Sequence, residues 1–246
     1  MAKYCFGKLP AKQDKRTLLF ENYVKPILPT PPMPYNSLDR VSKALGVPNV
    51  LDLYPMDGND TVGDCGLAGA AHFTTNVRGL IGQKFVPTKD QVLAEYYKIT
   101  GGQDTGVVLL DVLKLWKNEG LFGEKIGAFV KIDHKNFLSV QQATWLFGGV
   151  YTGFLTTPST VSDFQHGKVW TVGRPDGEGH CIVTAAHRSD GIGNFTWGGF
   201  QWGNLKWLRK MVDEMYAILS QEAMDARFSP GFDYATLQKD IAALAA

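Results

Sequence analysis

The sequence predicts an α+β fold in two lobes. Three observations carry this: apolar residues recur at helical spacing through the first half, short strand-like runs dominate the second, and no internal repeat interrupts that order. With 246 residues, 44% hydrophobic and 20% charged, the chain can bury a sizeable core without help from disulfides.

Residues 1 to about 40 read as an arm. A helix-compatible stretch, Arg16 to Lys25, leads into PILPTPPMP, whose prolines impose extended backbone. Such a segment is expected to wrap the domain, cover a groove or reach a protein partner, and to be removable without unfolding the rest. Its basic residues Lys8, Lys12, Lys15 and Arg16 read as a solvated run. The compact domain, 41–246, divides into a helical lobe at about 41–147 and a β-rich lobe at about 148–246. A helix is expected from Leu38 to Leu45, stopped by Gly46 and Pro48.

From Cys65, CGLAGAAHFTTNVRGL reads as a helix whose first turns are nearly all small residues, so it should lie deep against its neighbours. Thr88 and Gln91 form a capping box that opens a helix through Tyr97. A further helix runs from Val107 to Asn118, and Ser139 with Gln142 opens a fourth. Strands are expected at Val150 to Leu155, Lys168 to Val172, Cys181 to Ala186, Asn194 to Trp197 and Asp213 to Leu219, with a turn at Asp190 to Asn194.

Composition narrows the functional classes. Lys plus Arg at 25 nearly balances Asp plus Glu at 24, leaving no global field to recruit nucleic acid or an anionic membrane. No stretch approaches the roughly 18 apolar residues that span a bilayer, and MAKYCFGKLPAKQDKR has no apolar signal core, so a cytoplasmic protein is expected. Three cysteines, Cys5, Cys65 and Cys181, cannot all pair within the chain. No closely spaced ligand pair suggests a metal, TGGQDTG lacks the lysine of a phosphate loop, and no cofactor is implied.

Cys65 is the cysteine with a chemical setting. It stands where a helix starts, after the Gly-rich polar segment Gly58 to Asp64, where backbone N–H groups and the helix dipole would favour a thiolate. The base must come from elsewhere. His72 would sit about 10 Å along the same helix at 1.5 Å per residue, and reads as a packing or capping histidine. His180, behind the loop Asp176 to Gly179 and at the mouth of a strand, is better placed. Cys181 should point to that strand's other face and be inert.

These residues resemble those of the papain-like cysteine peptidases, over about Asp52 to Met224. GDCGLAGAAHF is similar to the family's nucleophile motif, and GHCIVTAA, after FQHGKVWTV, to the strand that carries its histidine. TGGQDTGVVLLDVLKLWKNEGL and NFLSVQQATWLFGGVYTGFL are similar to its Gly-rich turn with the following helix and to the helix that leads into its barrel, while TWGGFQWG echoes its Ser-Trp-Gly segment. The resemblance implies a helical lobe, a β-barrel-like lobe and a cleft between them. It implies Cys65 as nucleophile, His180 as base and Asn59, at the position of the family's glutamine, as oxyanion donor, in a thiol hydrolase acting on peptide or amide bonds.

Three positions depart from that pattern. Gly66 and Val62 replace the family's tryptophan and its frequent disulfide cysteine, and the asparagine that orients the histidine is replaced by Phe195. Asn194 is the adjacent candidate, though in a strand it would face the other way unless a bulge re-aims it, and Gln201 is a further one. With that asparagine missing and a Pro-rich arm present, the alternative is a catalytically weak or inactive papain-like domain serving as a binding or assembly module.

Overall fold

The computed structural model describes residues 4–220 and 231–245. The end of the span that resembles the papain-like peptidases, 221–224, lies outside the described residues. The first half is helical: α1 (Ser37–Leu45), α2 (Cys65–Leu80), α3 (Lys89–Thr100) and α4 (Leu109–Asn118). Each obeys its local signals. α1 is capped by the Asn36 side chain and ends in left-handed Gly46, and α3 opens with the Thr88 and Gln91 capping box.

α2 organises the lobe because every residue in it except Arg78 is buried. Its small residues make that possible. A Cβ on Gly66 would lie 2.5 Å from Val107, and one on Gly79 would lie 2.5 Å from Val41.

The second half supplies β2 (Ile126–Lys131), α5 (Phe137–Phe147), β3 (Val150–Leu155), α6 (Thr160–Gln165), β4 (Gly179–Arg188), β5 (Gly191–Thr196), β6 (Gly199–Asn204), α7 (Leu205–Lys210), β7 (Val212–Ser220) and α8 (Tyr234–Ala245). The strands form one antiparallel sheet in the order β2-β7-β3-β4-β5-β6, with β1 (Tyr35–Asn36) pairing beside β4. The sheet is open, so the expected barrel-like closure is corrected: β2 and β6 stay apart as its ends. Side-chain alternation splits the core in two. Cys181, Val183 and Ala185 of β4 face α1 to α4, while Ile182 faces Phe154, Trp170 and Trp207.

Several expectations change. The 168–172 stretch forms no strand, only an isolated bridge from Trp170 to Gly203, with Trp170 buried and the residues on either side of it exposed. The expected turn at Asp190 to Asn194 shortens, since Gly191 onward already pairs with β4. β2 pairs with β7, which carries the sheet back to residue 126 and into the expected helical lobe. No helix among the described residues is long and apolar enough to cross a membrane.

The arm is the largest correction. Instead of a helix over 16–25 it has one short turn, Phe20–Tyr23, and that turn carries core side chains. Phe20 stacks on Phe232 and meets Phe147 edge-on, while Tyr35 pairs with His187. Buried Phe20, Tyr23, Leu28 and Tyr35 tie residues 18–36 to the rest of the fold, and the segment before them is tied as well, through the rings of Tyr4 and Phe6 against Trp197. Phe20→Ala is therefore expected to lower unfolding free energy by about 3 to 5 kcal/mol, as for other buried aromatics, and deletion of residues 1–12, which takes the Lys8 ammonium from buried Glu214 and the Tyr4 and Phe6 rings from Trp197, should also lower the urea midpoint.

Candidate active site

Cys65 is the first residue of α2, and His180 is the second of β4. Both are 1% exposed. They are covered by the beginning of the chain, which passes between the lobes as extended polypeptide. Cys5 N–H donates to the Asn59 carbonyl (2.9 Å), Val107 N–H to Gly7 (2.7 Å), Leu9 N–H to Val107 (2.9 Å) and Lys8 N–H to Gly179 (3.1 Å). Two consecutive residues of this strand touch the two candidate catalytic groups. The Phe6 ring meets the His180 ring edge-on at 5.8 Å, and Gly7 donates its main-chain N–H to the Cys65 sulfur. The strand fits only with glycine at position 7, where a Cβ would come within 1.7 Å of the Gly63 carbonyl oxygen.

The cover reverses the expected electrostatics. A thiol at a helix N-terminus was expected to ionise easily. Burial instead pushes Cys65 up to about 12, outweighing the hydrogen bonds that its sulfur accepts from the Cys181 and Gly7 main chains. Burial likewise pushes His180 down to about 3, so both partners are neutral while the strand is in place.

His180 is stacked on Trp197 with ring centres 4.2 Å apart, and its Nε2 lies 2.7 Å from the Thr196 hydroxyl. Its Nδ1 is buried and makes no hydrogen bond. Trp197 in turn donates its indole N–H to Asn59 Oδ1 at 2.6 Å, which fixes that side-chain amide, whose Nδ2 donates to Val62. Asn59, Trp197 and His180 thus form a connected row.

Asn194 is not part of it. Its Oδ1 accepts from Thr184 and its Nδ2 donates to the Gln201 carbonyl, because its register opposite Thr184 turns it into the sheet. Gln201 is committed to the Lys168 carbonyl. Thr196, which the sequence reading missed, is the residue beside His180. The signal was its place directly before Trp197.

Cys181 faces α2, within 3.0 Å of where a Gly69 Cβ would stand, and burial raises its thiol well above the ordinary value. His72 is a structural residue, with Nε2 2.8 Å from the Pro55 carbonyl and 3.1 Å from Asp57. Among the described residues no cluster of His, Cys, Asp and Glu could hold a metal ion.

Asp64 immediately precedes the nucleophile position and caps nothing with its side chain. Burial pushes its carboxyl up to about 8, so it stays neutral near neutral pH and leaves no negative charge beside a Cys65 thiolate.

Neither a family model nor a curated protein sequence matches the chain. Solved structures do. Xylellain, a cysteine protease from Xylella fastidiosa, superposes with a TM-score of 0.67 at 14% identity, covering 89% of this chain and 97% of its own. A procathepsin B of Trypanosoma congolense gives 0.60 at 11% identity, covering 88% and 87%. A cysteine protease of Carica candamarcensis gives 0.54 at 13%, covering 77% and 99%. The chain therefore has the papain-like α+β fold of cysteine proteases.

Two measurements check this site. Because folding raises the Asp64 carboxyl, its contribution is intact below about pH 4 and is lost as pH rises toward 8. Asp64→Asn should accordingly flatten the fall of Tm between pH 5 and 8, and an unchanged slope would exclude the role. Thr196→Val should remove the Nε2 contact while keeping the fold, and any thiol activity should fall by about 10- to 100-fold, the scale of losing an outer partner that orients a functional histidine.

Proposed function

We propose that the chain is a latent papain-like thiol hydrolase acting on peptide or amide bonds, held closed by its own residues 4–9. One observation carries the reading: the cleft already holds extended polypeptide, tied by main-chain hydrogen bonds to both lobes and running past Cys65 and His180. Main-chain pairing of this kind binds peptides with little regard to side chains.

The strand is an occluder and not a substrate, because Gly7 offers its N–H to the sulfur while its carbonyl is turned to Val107. A bound substrate would place a carbonyl carbon there instead. Once the strand lifts, water reaches the site and the desolvation that keeps Cys65 and His180 neutral falls away. Cys65 would then attack the carbonyl carbon and its proton would pass to His180 Nδ1. The collapsing intermediate would break the C–N bond as that proton moves to the leaving amine, and water would hydrolyse the thioester. The Asn59 amide and the Cys65 backbone N–H would hold the oxyanion. Thr196, screened by Trp197, would orient the ring in place of the asparagine absent at Phe195.

A second reading, a permanently closed binding or assembly module, is favoured by the burial of both groups and by Phe195. Gly7→Ala in the full chain separates the two, since the added methyl cannot coexist with Gly63. For a latent hydrolase, iodoacetamide labelling of Cys65, read by intact mass, should rise at least about 10-fold, and peptide hydrolysis should appear and vanish with Cys65→Ser. Labelling that rises without hydrolysis of a mixed peptide library would favour the module.

A further inference from the structure

Lys8 of the occluding strand carries its charge inward. Its side chain is fully buried, and its ammonium donates to Asp213 Oδ2 at 2.8 Å and the Leu9 carbonyl at 3.2 Å and lies in ion-pair contact with Glu214 Oε1 at 3.3 Å. Two hydrogen bonds and a second carboxylate at ion-pair distance compensate the buried charge. This corrects the expectation that Lys8 belongs to a solvated run. Lys12 fits it better, pairing with Asp111 at the surface, where both side chains are about half exposed.

The pocket is built for such a group. Asp213 and Glu214 are neighbours on β7, and neighbours in a regular strand point to opposite faces. Here the β3–β7 register slips, with Gly153 opposite Glu214 but Phe154 opposite Val212, leaving Asp213 as the extra residue of a bulge. The bulge lets both carboxylates reach one ammonium. On the facing strand, Gly153 leaves the room, for a Cβ there would lie 2.3 Å from Lys8 Cε and 2.9 Å from Leu109. Glu214 is completely buried, and its carboxyl would be costly to keep charged without a cation. Burial raises it and the Lys8 charge opposes that rise. The residue that fills the pocket is next along the strand to Gly7, which touches Cys65.

We infer that the acidic pocket formed by Glu214, Asp213 and Gly153 is a specificity site of the cleft, selecting peptides with a lysine side chain next to the unit that faces Cys65. Lys8 then acts as a tethered mimic of that side chain. The inference rests on the reading of the cleft as a peptide-binding site, but its test does not need hydrolysis.

The experiment uses the full chain with Gly7→Ala and Lys8→Ala together, which vacates the pocket. The probe is a fluorescein-labelled peptide with the sequence of residues 4–11, compared with the same peptide bearing norleucine in place of lysine, by fluorescence anisotropy under reducing conditions. The lysine peptide is expected to bind at least about 10-fold more tightly, the scale of one buried charge-assisted contact. Glu214→Gln in the same background should abolish that preference, and should it fail to fold, Asp213→Asn should reduce it. Equal affinity for the two peptides, no binding of the lysine peptide, or a preference that survives both substitutions would overturn the inference. Lysine-selective binding without cleavage of any peptide would sustain the pocket and remove the hydrolase reading. Cleavage without lysine preference would do the reverse.

Discussion

The close approach of α2 to the sheet is the constraint on which the molecule depends. Glycine and alanine along this helix let Val107, Tyr151 and Cys181 come to within contact of its axis, and Tyr151 ties the first turn by donating to the Gly66 carbonyl at 2.6 Å. Larger side chains would push the helix out and carry Cys65 away from β4. Because interiors are close-packed and yield little, placing one helix in this way also fixes the loop before it. Left-handed Asp57 and Gly58 turn the chain there so that Asn59 can reach Trp197.

The same cleft shows how burial can override every local device that favours ionisation. Cys65 has a helix N-terminus, two N–H donors and a histidine across the cleft, yet its thiol is pushed up because the strand at residues 4–9 excludes water. Desolvation of a fully covered group exceeds what a few hydrogen bonds return. The covered state of Cys65 is thus electrostatic as well as steric. The segment that maintains it is held by main-chain hydrogen bonds, by the Tyr4 and Phe6 rings against Trp197 and by Lys8.

Much of the fold was legible from residues in order. Helix caps such as Thr88 with Gln91, stops such as Gly46, and the apolar run from Val150 all specify their elements locally, and the small-residue run after Cys65 specifies the buried helix α2. β2 and β6 were less visible because IGAFVK and GFQWGN are short and rich in glycine or polar residues, and become strands only by pairing with β7 and β5. Asn194 misled for a related reason: chain adjacency to the expected position says nothing about register, and register hands it to Thr184.

The sequence by itself determined the α+β order, the small-residue helix that begins at Cys65 and the strand that carries His180, because spacing and turn chemistry act over a few residues. Tertiary structure decided that Thr196 accompanies His180, that Phe20 and Tyr23 belong to the core, and that Lys8 turns inward. Each of these depends on contacts between residues far apart in the chain, such as Lys8 with Asp213 and Phe20 with Phe232. Local propensity gives no account of such contacts, since a lysine in a basic run is solvated unless the fold builds a pair of carboxylates to receive it.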